Sequence, residues 1–412
     1  MIQPDPRPRH DLFVGRQPIY GRDLELYAYE LLYRGDDVDF ADFTEGDQAT
    51  SQVLLNTFTE FGLERVVGDH LAFVNLTRGF ITGEYPLPVP RHRVVLEILE
   101  EVEPDPEVLD GLRRLRRAGF RIALDDFVLC EERERLLPLA DILKVEVHGL
   151  GDRLIRDRRE LLGPFGCQLL AEKVETREQF DACRAAGFDL FQGFFLAKPN
   201  LIKGRSIPAS RLNLLRLLAE LQDPAASFDR VQEIIAQDVA LSYKLLRHIN
   251  AARYGMPRRI ESIRETVVYL GLTTVRNLAC LFLLSNVEDK PHELVTTSML
   301  RAKMCELLAR AAGISAHQAF FTAGLFSTLD AFMDLPMGAV LDKLPLAEDL
   351  RAALLSREGK IGEALASALA YERGDWDAVL CLGLPRTEIR TAFLDAVQWV
   401  DEVNREISST AL

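Results

Sequence analysis

Two adjacent carboxylates, Asp125 and Asp126, end the apolar run RIALDD at residues 121–126. Like charges placed side by side repel one another, and each makes the other harder to ionise. A bound divalent metal ion would stabilise such a pair at the end of a strand. An exposed turn, in which water solvates both carboxylates, is the alternative, and this stretch taken alone leaves both interpretations open.

Other strand-like runs of the first half also end on a polar residue. Together with Asp125, these residues are Glu30, Asn75, Glu97, Lys144, Glu172 and Gln192. Carboxylate and amide oxygens are the ligands that Mg²⁺, Mn²⁺ and Ca²⁺ prefer, whereas zinc favours His or Cys, which this set lacks. Asp126 is placed to bind a second ion or to activate a water, and Lys144 to stabilise a phosphate or oxyanion. Any single member could instead be a solvated turn or half of a salt bridge.

Short β-type runs alternate with helical patterns between residues 12 and 205, and these elements would position the polar set. Eight apolar runs predict eight strands, and the turn-forming sequence GRDLE at residues 21–25 predicts that the first two form a hairpin. Strand and helix alternation predicts a largely parallel sheet or an α/β barrel of the TIM type, in which the hairpin would make the first two strands antiparallel. The C-terminal ends of barrel strands meet at one rim, so we expect the polar set to collect there, at the surface.

Helical periodicity extends through the second half of the chain and predicts an all-α domain. The segment KPNLIKGRSIPAS, residues 198–210, contains two prolines and a glycine and is the expected connection. The predicted domains are therefore a barrel at residues 12–205 and a helical domain at residues 206–412.

Composition excludes several classes of protein. The formal net charge of −14 does not favour a broad surface for DNA or RNA. The six cysteines are scattered without a C-x-x-C pair, which favours reduced thiols over disulfides or a zinc site. The N-terminal residues do not resemble a signal peptide, and no apolar run is long enough to cross a bilayer. We expect a cytoplasmic protein without direct nucleic-acid or membrane binding.

Seven motifs, in order along residues 12–205, resemble the EAL domain of bacterial cyclic di-GMP signalling: YELLYRG, VNLT, LEILE, LDDF, ILKVE, AEKVET and FQGFFLAKP. The resemblance implies a barrel that binds cyclic di-GMP with Mg²⁺ or Mn²⁺. Its implied metal ligands are Glu30, Asn75, Glu97, Asp125 and Glu172. Asp126 and Lys144 would serve the attacking water in a catalytic domain. The residues implied to contact the ligand or support the site are Glu30, Arg34, Glu175 and Gln192.

Two departures from the EAL pattern bear on activity. Active members follow the Asp-Asp-Phe motif with a glycine-rich loop, which positions metal and substrate and often helps the domain to form a homodimer. Here the following segment, VLCEERERLLPLA at residues 128–140, has no glycine and is expected to begin a helix instead. Glu146 stands where the family usually has Asp, although Glu100, which resembles the residue that braces the loop, is present.

The second half resembles the HDOD domain, an HD-related helical domain, most clearly at residues 227–255 and 260–279. Active HD phosphohydrolases bind metal through an adjacent His-Asp pair on a helix. This chain instead reads GLFSTLD at residues 324–330, with Ser327 and Thr328 in the two ligand positions, and His248 is expected to pack rather than to bind metal. The resemblance implies a non-catalytic domain that contacts partner proteins.

Two hypotheses for function follow from the whole sequence. The first is a signalling protein whose barrel is non-catalytic or barely active, binds cyclic di-GMP or docks partners, and relays its state through the helical domain. The alternative is an active metal-dependent phosphodiesterase that opens cyclic di-GMP to the linear dinucleotide. The retained polar set favours the second hypothesis, and the missing glycine loop favours the first.

Overall fold

The computed structural model describes residues 12–35, 63–87, 89–197, 209–223, 225–250, 259–285, 287 and 290–408. Two compact units divide the chain, Met1–Phe195 with Tyr371–Trp376 and Leu196–Ala370 with Asp377–Leu412. The predicted connection at residues 198–210 lies outside the described residues, apart from its last two. The side chain of Arg34 also lies outside them, although its backbone belongs to a strand.

Eight strands of the first unit form a closed barrel in chain order, which confirms the predicted fold class. They are β1 (Leu12–Tyr20), β2 (Leu26–Gly35), β3 (Leu71–Leu76), β4 (Val94–Ile98), β5 (Arg121–Leu124), β6 (Ile142–Glu146), β7 (Gln168–Glu172) and β8 (Leu190–Gln192). The predicted hairpin is present, since β1 pairs antiparallel with β2 and Gln17 lies opposite Glu30. Strand β1 is also antiparallel to β8, and the pairs from β2–β3 through β7–β8 are parallel.

Short helices connect the strands of the barrel, and a last 3-10 helix follows β8. The α-helices are α1 (Leu63–Val67), α2 (Arg78–Thr82), α3 (Pro106–Arg117), α4 (Asp152–Leu162) and α5 (Arg177–Ala186), and 3-10 helices span Arg133–Leu139, Gly163–Phe165 and Phe194–Ala197. Helix α5 starts with a capping box, in which the Thr176 side chain accepts a hydrogen bond from the Gln179 backbone and the Gln179 side chain accepts one from the Thr176 backbone. This cap determines where the chain turns after strand β7.

One apolar side chain from each strand fills a layer inside the barrel. These residues are Ile19, Ala28, Phe73, Val95, Ala123, Ile142, Leu170 and Leu190, and all are buried. Side chains alternate between the two faces of a strand, so residues two positions away point to the same interior. The layer therefore identifies the next inward-pointing position on every strand.

Helices make up the regular structure of the second unit, as predicted. They are α6 (Ala209–Gln222), α7 (Phe228–Gln237), α8 (Val239–Ile249), α9 (Ile263–Leu270), α10 (Leu272–Leu284), α11 (His292–Ala311), α12 (His317–Phe326), α13 (Leu329–Met333), α14 (Met337–Leu341), α15 (Glu348–Ser356), α16 (Gly359–Arg373) and α17 (Arg386–Ser408). Side chains of Ser227, Asp238 and Ser262 accept hydrogen bonds from the first turns of α7, α8 and α9. These caps explain why the long periodic stretches break into separate helices.

Within the described residues, no single helix combines the length and apolar character that crossing a bilayer requires. Helices α9 and α10 meet that requirement only when joined, and they are bent by 120° at the break between them. Gly271 occupies this break with φ 80°, a left-handed conformation that glycine adopts without strain.

Candidate metal and ligand site at the barrel end

Seven of the polar residues predicted at strand ends lie two positions beyond the apolar layer, on strands β2 to β8 or directly after them. They are Glu30, Asn75, Glu97, Asp125, Lys144, Glu172 and Gln192. Because this spacing keeps a side chain on the same face of its strand, the seven form the next layer of the barrel interior. The strand-end pattern thus assembles residues that are far apart in sequence.

The expectation that these residues lie at the surface is wrong for most of the layer. The side chain of Glu97 is 0% exposed, that of Lys144 1% and that of Asp125 17%. Glu30, Glu172 and Gln192 are buried as well. The reason is that the barrel is closed, so inward-pointing side chains near its end are enclosed by the neighbouring strands.

Lys144 lies at the centre of this layer and pairs with four carboxylates. Its Nζ is 2.8 Å from Asp125 Oδ1 and 2.9 Å from Glu172 Oε1. It is 3.5 Å from Glu30 Oε2 and in direct contact with Glu97 Oε1. Four ionised carboxylates around one ammonium group would leave an excess of negative charge, which is costly inside a protein.

Burial and mutual repulsion shift the acidity of the buried carboxyls. The pKa of Glu97 is raised well above its usual value, chiefly by burial and then by Glu30, against the opposing effect of Lys144. Burial raises the pKa of Glu172 to about 8, although Lys144 acts in the other direction. Burial disfavours the ammonium of Lys144, but the surrounding carboxylates outweigh it and raise the lysine pKa. The layer therefore takes up either protons or a cation.

Gln17 completes the layer, and the sequence pattern missed it. Gln192 Nε2 donates hydrogen bonds to Glu30 Oε2 at 2.5 Å and to Gln17 Oε1 at 3.0 Å. Strand β1 runs antiparallel to its neighbours, so its residue in this layer comes two positions before the apolar Ile19 rather than two after it. The predicted hairpin contained the signal, because it places Gln17 opposite Glu30.

Four oxygens of the layer are suited to a hard metal ion. Among the described residues, the buried oxygens without a hydrogen-bond partner include Asn75 Oδ1, Glu97 Oε2, Glu172 Oε2 and Gln192 Oε1. Unsatisfied buried oxygens are costly, and a coordinated cation would satisfy them. The donor set is all oxygen, which fits Mg²⁺, Mn²⁺ or Ca²⁺ better than zinc.

Asp125, Asp126 and Glu172 form an acidic group at the same end of the barrel. One oxygen from each lies within 4.8 Å of the other two, close enough to share an ion. Burial, followed by the charge of Asp125, raises the pKa of Asp126. Asp126 itself adopts φ 38°, so the sharp turn after β5 uses a left-handed aspartate and not a glycine.

Arg133 supports the Asp125–Asp126 pair in place of a glycine-rich loop. Its guanidinium donates to the backbone oxygens of Asp125 at 3.1 Å and Asp126 at 3.3 Å. The same group lies over the ring of Phe127, 5.3 Å from the centroid. Arg133 begins the 3-10 helix Arg133–Leu139, in the segment where a helix was predicted. The sequence showed only a charged stretch here and did not indicate this contact.

Comparison with known proteins places the chain in a family. It is 34% identical over 414 residues to the cyclic di-GMP phosphodiesterase CdgJ of Vibrio cholerae, covering 98% of this chain and 96% of that protein. The chain belongs to the EAL–HDOD family. An HDOD domain matches residues 207–335. The EAL–HDOD chain is also 31% identical to the uncharacterised protein YuxH of Bacillus subtilis, covering 94% of this chain and 98% of that protein.

Among solved structures, the chain is similar to BlrP1 of Klebsiella pneumoniae, whose structure is a complex with manganese and cyclic di-GMP. The TM-score is 0.37 and the identity 21%, over 46% of this chain and 56% of that one. The barrel assignment of the EAL–HDOD protein rests on its own strand pairing, described above.

Residues just outside the layer make contacts that sequence analysis did not predict. Glu146, which replaces the usual family Asp, pairs with Lys173, whose Nζ is 2.5 Å from Glu146 Oε2. Glu175 is not among the carboxylates that pair with Lys144. Its Oε1 lies 3.6 Å from His148 Nδ1, and its side chain is 45% exposed. A histidine thus lies close to the predicted site of this EAL–HDOD protein, although none belongs to the strand-end set.

In the helical unit, two hydroxyls that are hydrogen-bonded to neighbouring side chains occupy the positions of the missing His-Asp pair. Thr328 is 0% exposed, and its Oγ1 lies 2.5 Å from Ser298 Oγ. Ser327 Oγ accepts a hydrogen bond from Arg301 Nη1 at 3.2 Å. His248 is buried, with its ring edge-to-face against that of Phe282. The HDOD half therefore presents packed hydroxyls and a guanidinium where a metal site would need imidazole and carboxylate ligands.

Proposed function

We propose that this EAL–HDOD protein is a cytoplasmic cyclic di-GMP sensor. Its barrel end binds cyclic di-GMP together with Mg²⁺ or Mn²⁺ and hydrolyses the dinucleotide slowly or not at all. The observation that supports a bound metal ion is the set of buried oxygens that have no hydrogen-bond partner. They belong to a layer in which four carboxylates share one lysine. The choice of dinucleotide is supported by the name of CdgJ, which is similar over nearly its whole length. All six cysteines, each within the described residues, are free thiols, which supports a reducing compartment.

Each polar residue of the layer has a distinct role in this proposal. The residues that would hold the ion are Glu30, Asn75, Glu97, Asp125 and Glu172. When bound, a divalent ion would polarise a phosphate oxygen and make a bound water more acidic. Gln192 orients Glu30 through its 2.5 Å hydrogen bond, and Arg34 and Glu175 are the further proposed ligand contacts. Asp126 and Lys144 would handle the proton of an attacking water if hydrolysis occurs.

Slow hydrolysis is expected because two charged groups near the proposed metal, Lys144 and Glu146, are already held in ion pairs. Lys144 Nζ pairs with the same carboxylates that would hold the metal, so metal binding must displace part of this ion-pair network. Glu146 is paired with Lys173 through Oε2, so an ion bound by this carboxylate would have to compete with the ammonium group. Loss of one preorganised electrostatic contact costs about 10²–10³ in rate. These contacts favour a binding role over rapid turnover.

An active cyclic di-GMP phosphodiesterase is the second candidate. CdgJ, which is named a phosphodiesterase, favours it. The Arg133 contacts with the backbone of Asp125 and Asp126 also favour it, because they supply support that the glycine loop would otherwise give. Turnover near the enzyme median of about 10 s⁻¹ would establish this alternative.

Calorimetry with full-length protein separates these functions. Metal-free protein is titrated with Mn²⁺, and then with cyclic di-GMP in the presence and absence of Mn²⁺, while the linear product is followed by chromatography. We expect binding that requires metal and little product. The isosteric variants E30Q and D125N should lose metal-dependent binding, whereas D181N, which changes an exposed residue of α5, should bind like the parent. Unchanged binding in both E30Q and D125N would refute the proposed site.

The helical domain is proposed to act by contact with a partner protein and not by chemistry. The packed hydroxyls at Ser327 and Thr328 support this role, because they leave the HD position without metal ligands. Self-association as a homodimer is a further proposal, which analytical ultracentrifugation tests directly. Hydrogen exchange of the full chain, with and without cyclic di-GMP, tests the relay. Changes confined to the barrel would count against transmission to the helical domain.

A further inference from the structure

Glu146 and Lys173 form an ion pair beside the carboxylate layer. Strand pairing places Glu146 opposite Glu172, the residue that precedes Lys173 in sequence. Lys173 Nζ is 2.5 Å from Glu146 Oε2, and the two side chains are 56% and 41% exposed. Both residues therefore lie at the open end of the barrel, next to the acidic group formed by Asp125, Asp126 and Glu172.

The pair changes which carboxylates are available to metal. Asp125, Asp126 and Glu172 lie close enough together to share an ion. A second ion would need at least one more anionic ligand on the Asp126 side. Glu146 is the candidate, because it lies opposite Glu172 in the sheet and its charge acts on Asp126. The lysine contact occupies that oxygen, and the positive charge of Lys173 also acts on Asp126 and Glu172. One ammonium group thus neutralises the side of the site where a second divalent ion would bind.

Lys173 occupies a backbone position whose conformation favours glycine. Lys173 adopts φ 54°, the left-handed conformation that glycine adopts freely and that lysine adopts uncommonly. A glycine would satisfy the turn between β7 and α5 without strain. The chain instead has a lysine, whose described contact is with Glu146.

We propose that Lys173 limits the barrel end to a single divalent ion, by occupying Glu146 and by placing its own positive charge beside Asp126. The inference rests on the proposed function in one respect, namely that the barrel end binds a divalent ion at all. It goes further in assigning Lys173 as the residue that sets the number of ions. A single ion provides binding, whereas two ions provide the arrangement that clamps both attacking and leaving oxygens.

The test counts Mn²⁺ ions bound per full-length chain, by calorimetry and by the electron paramagnetic resonance signal of free Mn²⁺. K173G removes the cation and suits the left-handed backbone, and K173N, which also tolerates this conformation, is the second variant. K173R retains the charge. R177M is the matched control, since Arg177 pairs with Asp181 on α5 and not with the layer.

We expect one ion for the parent, K173R and R177M, and two ions for K173G and K173N. Two ions in the parent, or one ion in both K173G and K173N, would overturn the role of Lys173 and leave the proposed function intact. No bound ion in the parent would overturn the proposed metal site, and this inference with it. Ion counts do not depend on hydrolysis, so the result is independent of whether the protein is an enzyme.

Discussion

Lys144 Nζ lies 2.8 Å from Asp125 Oδ1, inside a closed barrel where the lysine side chain is 1% exposed. The aspartate is a proposed metal ligand, and the same ammonium group also contacts three further carboxylates. A metal ion at the proposed site would therefore compete with Lys144 for one set of oxygens. In the absence of metal, the lysine offsets part of the buried negative charge, and protons held by carboxyls with raised pKa values, such as Glu97 and Glu172, offset more of it.

Replacing Lys144 with Met should make the barrel depend on metal for its stability. Removing one partner of a buried ion pair costs about 3–5 kcal/mol, because the remaining charges stay buried. Urea unfolding at neutral pH should show this loss in metal-free K144M, and Mn²⁺ should restore more stability to K144M than it adds to the parent. K360M, at an exposed position of α16, should behave like the parent. Equal stability of K144M and the parent without metal would contradict the proposed balance of charge.

Arg133 is predicted to position the Asp125–Asp126 pair. R133A removes two hydrogen bonds to backbone oxygens and should destabilise the protein by about 1–3 kcal/mol. Loss of such a supporting contact should weaken Mn²⁺ binding by about 10–100-fold. Calorimetry measures the affinity, and R135A, an exposed neighbour on the same 3-10 helix, is the control. If R133A weakens stability but leaves the Mn²⁺ affinity unchanged, Arg133 is structural only.

The ionisation of Glu306 on α11 should make the free energy of unfolding depend on pH in the acid range. Although burial acts against it, pairing with Lys303 at 2.9 Å and Arg310 at 2.6 Å lowers the pKa of Glu306. A lowered native pKa contributes stability above the unfolded value near 4.5, and this contribution is lost as pH falls through the native value. The stability advantage of the parent over E306Q should therefore be present at pH 7 and disappear in strong acid. Urea unfolding of both proteins across this pH range measures the difference between their free energies of unfolding. A difference that does not change with pH would contradict the proposed effect of Glu306.

The helical domain should bind no metal tightly. In the full-length double variant D125N/E172Q, which removes two of the proposed barrel ligands, we expect no stoichiometric Mn²⁺, Fe²⁺ or Mg²⁺. The reason is that the Ser327 and Thr328 hydroxyls are weak ligands and are already hydrogen-bonded to Arg301 and Ser298. Metal analysis after dialysis checks this, together with an assay for hydrolysis of nucleotides and cyclic dinucleotides. Tight metal with hydrolysis in the double variant would show that an HD-type site exists after all.

Local sequence determined the elements of the barrel and the residues that could meet in it. The turn GRDLE at residues 21–25 lies between β1 and β2, as the sequence predicts, and the barrel has the predicted eight strands. Two-residue alternation placed a polar residue after an apolar one on strands β2 to β8, which is a local property of each strand. This is why the strand count, the hairpin and the polar set could be predicted without tertiary structure.

Tertiary structure alone decided how deep these residues lie and what they contact. Lys144 meets Glu97 across 47 residues of sequence and Glu30 across 114, because barrel closure brings the strands together. Gln17 joins the layer through the reversed direction of β1. Arg133 and Lys173 lie beside the layer, next to turns in which Asp126 and Lys173 have left-handed backbone conformations. Burial and ion pairing depend on atoms supplied by several strands at once. No single stretch of sequence contains that information.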